Sequence, residues 1–311
     1  MEKRKIGSLQ VTVAGLGCNN FGWRIDAAAT VPVVNAALDA GINFFDTADI
    51  YDTGHSEEFL SGALGSRRKD VIIATKFGMK MADGKEGARP EYIRQACQDS
   101  LRRLNTDYID LYQLHRPDPN VPIADTLGAL HDLMVAGKVR EIGASNFSAQ
   151  QLREAAQSRD RDEAKFVSVQ NNYSLMHREP EETGVIDECE KLHIALLPYF
   201  PLANGLLTGK YRKGQPLPKG SRGEAGWGPK VFTEENLEKV EKLASWAEAK
   251  EHTILDLAFA WLLSRGVVAS VIAGASKAEQ VRANAAAAAW KLAPDEVTEV
   301  GRILALRAGQ G

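Results

Sequence analysis

The sequence predicts an α/β fold, a (β/α)8 TIM barrel preceded by a β-hairpin and followed by an extra C-terminal helix, on three observations. Short apolar runs alternate with longer amphipathic stretches as far as residue 273, the rhythm of a parallel sheet. Runs of strand length number eight, enough to close a barrel. Strand after strand stops at a polar residue, and barrels collect function on that rim. A doubly wound sheet shares the alternation. The Gly15-Leu16-Gly17 run, however, lacks the third glycine of a dinucleotide-binding turn and opens no helix.

In chain order, Lys5-Ile6, a turn at Gly7-Ser8 and Leu9 to Val13 read as the hairpin. The barrel strands are Gly15 to Cys18, Asn43 to Phe45, Val71 to Thr75, Tyr108 to Leu114, Glu141 to Ala144, Phe166 to Val169, Ala195 to Pro198 and Val268 to Ala273. Pro90 to Leu104 predicts a helix because Ile93, Ala96, Cys97, Ser100, Leu101 and Leu104 fall on one stripe. The same spacing predicts helices over Val31 to Ala40, Ser56 to Leu64, Ile123 to Ala136, Ala149 to Ser158, Pro180 to Leu192 and Ile254 to Ser264. Gly41, Gly65 and Gly137 follow three of these, where a left-handed terminal residue is expected. Residues 203–232 are rich in Gly, Pro, Lys and Arg and have no period, so a functional or mobile loop is expected there. Thr233-Glu234-Glu235 opens a helix to about Lys250, and Pro294 to Arg307 forms the last one. With no repeat or linker, residues 1–311 are expected to form one domain.

Apolar residues make up 44% and charged residues 25% of the chain, the balance of a globular protein with a large core. A net charge of −3 and no long Lys/Arg cluster argue against a nucleic-acid partner. No apolar stretch approaches a membrane span or a signal peptide. Cys18, Cys97 and Cys189 form no paired motif and read as reduced thiols of a cytoplasmic protein. The six histidines show no metal-ligand spacing, so no metal site is expected. Oligomeric state is not readable from this pattern.

The most informative segment is Gly41 to Tyr51, where an apolar run stops at Asp46 and delivers Tyr51 five residues later. The next two strands stop at Lys76 and His115. A barrel brings these ends to one rim. Carbonyl reduction needs a proton donor, and a tyrosine hydroxyl serves if a cation stabilises its phenolate. Lys76 is that cation, and Asp46 is the anion a buried lysine requires. His115 is placed to donate to the carbonyl oxygen. Taken singly, His115 reads as a core residue, Tyr51 as a packed aromatic and Asp46 as a helix cap; at successive strand ends the catalytic reading is the stronger.

The runs Gly-Ile-Asn-Phe-Phe-Asp-Thr-Ala-Asp-Ile-Tyr at 41–51, Ala-Thr-Lys-Phe-Gly at 74–78, Asp-Tyr-Ile-Asp-Leu-Tyr-Gln-Leu-His at 107–115 and Gly-Lys-Val-Arg-Glu-Ile-Gly-Ala-Ser-Asn-Phe-Ser at 137–148 resemble the motifs of the aldo-keto reductases, in family order. The bacterial branch similar to the potassium-channel β-subunits is the nearest in pattern. The resemblance implies a barrel that binds NADPH in an extended conformation, with Asp46, Tyr51, Lys76 and His115 as the catalytic tetrad. It implies that Ser145, Asn146 and Gln170 hold the nicotinamide carboxamide, that Tyr199 stacks on the ring, and that Gly17, Cys18, Asn19 and Asp46 adjoin the cofactor. Phe200, Pro201, Leu202, Asn204, Gly205 and Lys210 match the loop over the pyrophosphate, with Arg222 a further phosphate contact. Gly274, Ser276, Lys277, Gln280 and Asn284 match the adenosine-phosphate end. Phe200 replaces a common serine, Ala283 an acidic residue and Gly274 a lysine of some branches. The 2′-phosphate contacts then rest on Ser276, Lys277 and Arg222, and NADPH is the expected cofactor, with NADH as a weaker alternative.

The substrate expected is a small-molecule carbonyl or alcohol. Trp23, Phe77 and Trp227 are the candidate aromatic walls of its pocket, and the short stretch after Arg307 suggests an open mouth. Two other readings compete: an NADPH-binding regulatory module with little turnover, and a barrel lyase in which Lys76 forms a Schiff base.

Overall fold

The computed structural model describes residues 1–158, 164–226 and 231–305. Trp227 and Arg307, both named above, lie outside these residues. Strands β1 (Lys3–Ile6) and β2 (Leu9–Thr12) pair antiparallel across a two-residue turn. Gly7 sits there at φ +56°, and Glu141 accepts from the Ser8 amide at 2.7 Å. Eight parallel strands follow: β3 (Ala14–Gly17), β4 (Phe44–Asp46), β5 (Ile72–Phe77), β6 (Ile109–Leu114), β7 (Val139–Ser145), β8 (Phe166–Asn172), β9 (Ala195–Tyr199) and β10 (Val271–Gly274). They run in sequence order with β10 beside β3. Closure between β9 and β10 comes from a parallel bridge at Leu196 and Val268, with Leu196 N–H donating to Val267 O at 2.7 Å.

Period-two alternation decides which residues reach the interior. Phe44, Ile72, Ala74, Leu111 and Leu197 point inward and pack with Ile6, Leu9 and Val11, so the hairpin plugs the bottom of the barrel. Phe45, Ile73, Tyr112, Leu114 and Leu196 point outward under the helices. Carried two residues further, the inward rows of β4, β5, β6 and β9 end at Asp46, Lys76, Gln113 and Tyr199. Apolar filling thus gives way to polar chemistry at the strand ends.

Helices α1 (Ala27–Asp39), α2 (His55–Leu64), α3 (Pro90–Arg103), α4 (Ile123–Val135) and α5 (Ala149–Gln157) connect the first strands. The stretch expected as one helix over Pro180 to Leu192 is two, α6 (Glu179–Glu182) and α7 (Val185–Leu192), because Gly184 between them is left-handed at φ +75°. Helices α8 (Glu234–Glu248), α9 (Ile254–Leu263), α10 (Ala278–Ala287) and α11 (Pro294–Ala305) complete the chain. Among the described residues no helix is long and apolar enough to cross a membrane.

Candidate active site

The end of β4 is wired to its neighbours before any side chain is considered. Thr47 N–H donates to Ala74 O at 2.8 Å, Asp49 N–H to Lys76 O at 3.1 Å, and Cys18 N–H to Asp46 O at 2.8 Å. The Ser56 hydroxyl links Thr47 Oγ1 to the Cys18 carbonyl. This bracing positions a short 3-10 turn, Tyr51–Gly54, in which Asp52 and Thr53 are both left-handed.

Lys76 is completely buried. Its Nζ donates to Asp46 Oδ2 at 2.7 Å, to Thr47 O at 2.7 Å and to the Tyr51 hydroxyl at 3.4 Å. Burial alone would lower the lysine's pKa, but the Asp46 carboxylate and the Tyr51 hydroxyl hold it above its usual value. Tyr51 behaves differently from the sequence expectation. Burial raises its pKa by more than the Lys76 charge lowers it, so the phenol stands above its ordinary value. The ring of His115 lies edge-on to Tyr51 with centroids 6.1 Å apart. Burial, then Lys76 and Arg116, depress the His115 pKa to about 3, and its Nδ1 is buried without a partner. The imidazole is neutral at physiological pH.

Asp46 is held on its other side as well. Gln170 Nε2 donates to Oδ1 at 2.8 Å and Gln113 Nε2 approaches the same oxygen at 3.4 Å. The rim continues through Ser145, whose hydroxyl donates to Gln170 O at 2.8 Å, and Asn146, left-handed at φ +60°, whose Nδ2 donates to His115 O at 2.9 Å. The Tyr199 hydroxyl donates to Asn146 Oδ1 at 2.7 Å.

These groups face a cavity of about 540 Å³ that extends from Tyr51 and His115, past the ends of β7, β8 and β9, to the start of α10. Asp46, Tyr51 and His115 line it; Lys76 lies beneath. Of the candidate cofactor residues, all line the cavity except Lys277, which is exposed at the N-cap of α10. At that helix start the Gln280 side-chain oxygen accepts from the Ser276 amide at 2.8 Å, occupying the place where an anion was expected.

Two of the pocket aromatics are corrected. Phe77 is completely buried and stacks on Tyr112 with centroids 4.6 Å apart, because the alternation that turns Lys76 inward turns its neighbour out under the helices. Trp23 stays at the surface, 46% exposed, with the Arg24 guanidinium 5.4 Å from its ring centre, and does not line the cavity.

The sequence reading missed Asn20, Arg24, Thr208 and Leu255 on the wall and Gln113 below it. Gln113 was legible, two residues before His115 on the inward row; Arg24 and Asn20 carry no signal beyond their position after the first barrel strand. They matter because Gly220 and Arg222 reach across to them. Arg222 Nη2 donates to Asn20 Oδ1 at 3.2 Å and Arg24 Nη2 to Gly220 O at 3.3 Å. Arg24, Lys210 and Arg222 therefore line one end of the cavity with no carboxylate among its lining residues there, and burial and the Arg24 charge push Arg222 below its usual pKa. Such a set of donors fits phosphate oxygens, while the amides at the other end fit a carboxamide.

The aldo/keto reductase family model matches residues 14–305. The uncharacterized oxidoreductase YqkF of Bacillus subtilis (strain 168) is 36% identical over 304 residues, spanning 96% of this chain and 94% of that protein. The holo form of aldo-keto reductase AKR11C1 from Bacillus halodurans is 32% identical with a TM-score of 0.81, over 97% of this chain and 96% of that one. Glycerol dehydrogenase AKR11B4 from Gluconobacter oxydans is 30% identical with a TM-score of 0.85, over 100% and 97%. The family match runs from the first barrel strand to the last helix, and the chain belongs to the aldo/keto reductases, oxidoreductases that use nicotinamide cofactors.

Proposed function

We propose that the protein reduces aldehyde or ketone carbonyls to alcohols, reversibly, with NADPH preferred over NADH and Tyr51 as proton donor. The observation that carries this reading is the Lys76 ammonium, buried between Asp46 at 2.7 Å and the Tyr51 hydroxyl at 3.4 Å. Bound NADPH supplies the hydride. The neutral His115 ring donates to the carbonyl oxygen and fixes its direction. Tyr51 gives up its proton to the developing alkoxide, and Lys76 stabilises the phenolate left behind. Asp46 keeps Lys76 charged in its dry site, and Gln170 and Gln113 fix the carboxylate that does so.

On this reading Ser145, Asn146 and Gln170 hold the carboxamide, Tyr199 covers the nicotinamide ring, and Arg24, Lys210 and Arg222 meet the phosphates. Lys277 adds positive potential at the mouth. Alcohol oxidation is the same chemistry reversed, and the likeness to a glycerol dehydrogenase supports reversibility. The test is a cofactor-oxidation screen over aldehydes, ketones and sugars with a parallel fluorescence titration of NADPH and NADH. Turnover with NADPH exceeding that with NADH is the expected result. Tight NADPH binding with no turnover on any carbonyl would replace this reading by that of a regulatory module.

A further inference from the structure

A second cavity of about 400 Å³ lies outside the barrel, between the turn after β4, the 81–85 segment and α3. Its walls are charged, and the charges can be paired off one by one. Arg103 donates to Glu57 at 2.6 Å and to Ser100 at 3.2 Å, Lys85 pairs with Asp83 at 2.7 Å, and Arg102 pairs with Asp99 at 3.2 Å. One anion is left over. Asp49 is 1% exposed, and neither of its carboxylate oxygens has a hydrogen-bond partner; the adjacent Ile50 amide lies near without normal hydrogen-bond geometry. A buried carboxylate without a partner is costly and calls for a donor. Half-buried Tyr92 contributes an aromatic wall, and Met81 and Ala82 contribute apolar surface.

We propose that this cavity is a binding site for a small organic ammonium compound, whose charged head pairs with Asp49 and whose alkyl body lies against Tyr92 and Met81. The volume is in the range of small-ligand sites, and an aromatic wall beside a carboxylate is the arrangement that favours an alkylammonium. A metal ion is the poorer occupant, because among the described residues no three acidic, histidine or cysteine side chains are grouped to hold one.

The pH dependence follows from the surroundings of Asp49. Burial first, then Glu57 of α2, raise its pKa to about 7, against Arg103 of α3, the Ile50 amide and Lys76 of β5. Asp83, Lys85, Asp99 and Arg102 face the cavity as the ion pairs described. A cation binds the ionised carboxylate, so affinity rises as pH climbs through about 7.

The experiment is calorimetric titration of the full chain with propylammonium chloride at pH 6 and pH 8, with potassium chloride matching ionic strength. Saturable binding about tenfold tighter at pH 8 than at pH 6 is expected, because the ionised fraction rises by about that factor. Asp49→Asn, nearly isosteric, loses at least tenfold in affinity at pH 8 and loses the pH dependence. Should that variant not fold, Tyr92→Leu must weaken binding at least threefold by removing the aromatic wall. Absence of saturable binding to the native protein overturns the proposal. So does equal affinity in Asp49→Asn, or in Tyr92→Leu where that variant stands in for it.

Discussion

At Lys76 the protein keeps an ammonium ion fully out of water, and the stability of that arrangement depends on three oxygens. Removing the charge with Lys76→Met leaves Asp46 buried without its cation, a change that costs about 3–5 kcal/mol in comparable sites. Turnover should fall by about 10²-fold or more while the NADPH dissociation constant stays within a factor of about three, since the cofactor contacts lie elsewhere. Urea unfolding beside a fluorescence titration checks both. Tyr51 has a second consequence. Its phenol pKa lies above the ordinary value, so reduction should hold constant through neutral pH and decline only in alkali, whereas oxidation, which needs the tyrosine to accept a proton, should rise with pH. A reduction rate that falls between pH 6 and 8 would contradict this assignment. The sign for His115 is the opposite kind. Its folded-state pKa is depressed to about 3 by burial, then Lys76 and Arg116, so the folded protein binds that proton less well than the unfolded chain. Stability is lost as pH falls from about 6.5 toward 3, and His115→Asn should flatten that part of the pH–stability curve. Asp46, Lys76 and His115 were legible because each sits at or just after a strand end, where period-two alternation leaves little freedom, whereas Tyr51, in the 3-10 turn five residues past Asp46, was legible only through the run at 41–51. Phe77 follows the same alternation to the other side of the strand, since adjacent residues face opposite ways, and it packs under the helices.

The elements divide into those whose pattern dictates them and those whose role is tertiary. Every barrel strand was legible within a few residues, since a buried apolar run between amphipathic helices has few alternatives. The 203–232 segment was legible only as an aperiodic insertion. It reaches across the cavity mouth to Asn20 through Arg222 and to Arg24 through the Gly220 carbonyl, and long-range pairing of this kind leaves no local trace. Arg222→Ala should therefore weaken NADPH by about tenfold, the loss of one charge-assisted phosphate contact. Lys277→Ala tests the helix start separately. Because Lys277 is exposed and Gln280 already takes the Ser276 amide, the expected loss is about threefold or less for NADPH and none for NADH. Equal losses for both cofactors in Arg222→Ala would remove it as a discriminating contact.

For the whole molecule, the hairpin closes the bottom of the barrel and leaves chemistry to the top. Beyond β10 the described residues that reach the cavity are Ser276, Gln280, Ala283 and Asn284, all at the cofactor end. Bulky or polycyclic carbonyls should therefore be reduced with kcat/KM within about tenfold of small aldehydes. A substrate series in which activity collapses with bulk would show that the mouth is narrower than this geometry indicates. Tyr51 as the proton donor is tested by single-turnover reduction in Tyr51→Phe, with NADPH bound and monitored by its fluorescence. Near-native NADPH affinity with hydride transfer slowed by about 10²–10⁴-fold is expected; a Tyr51→Phe enzyme that turns over at the native rate would remove Tyr51 as the donor.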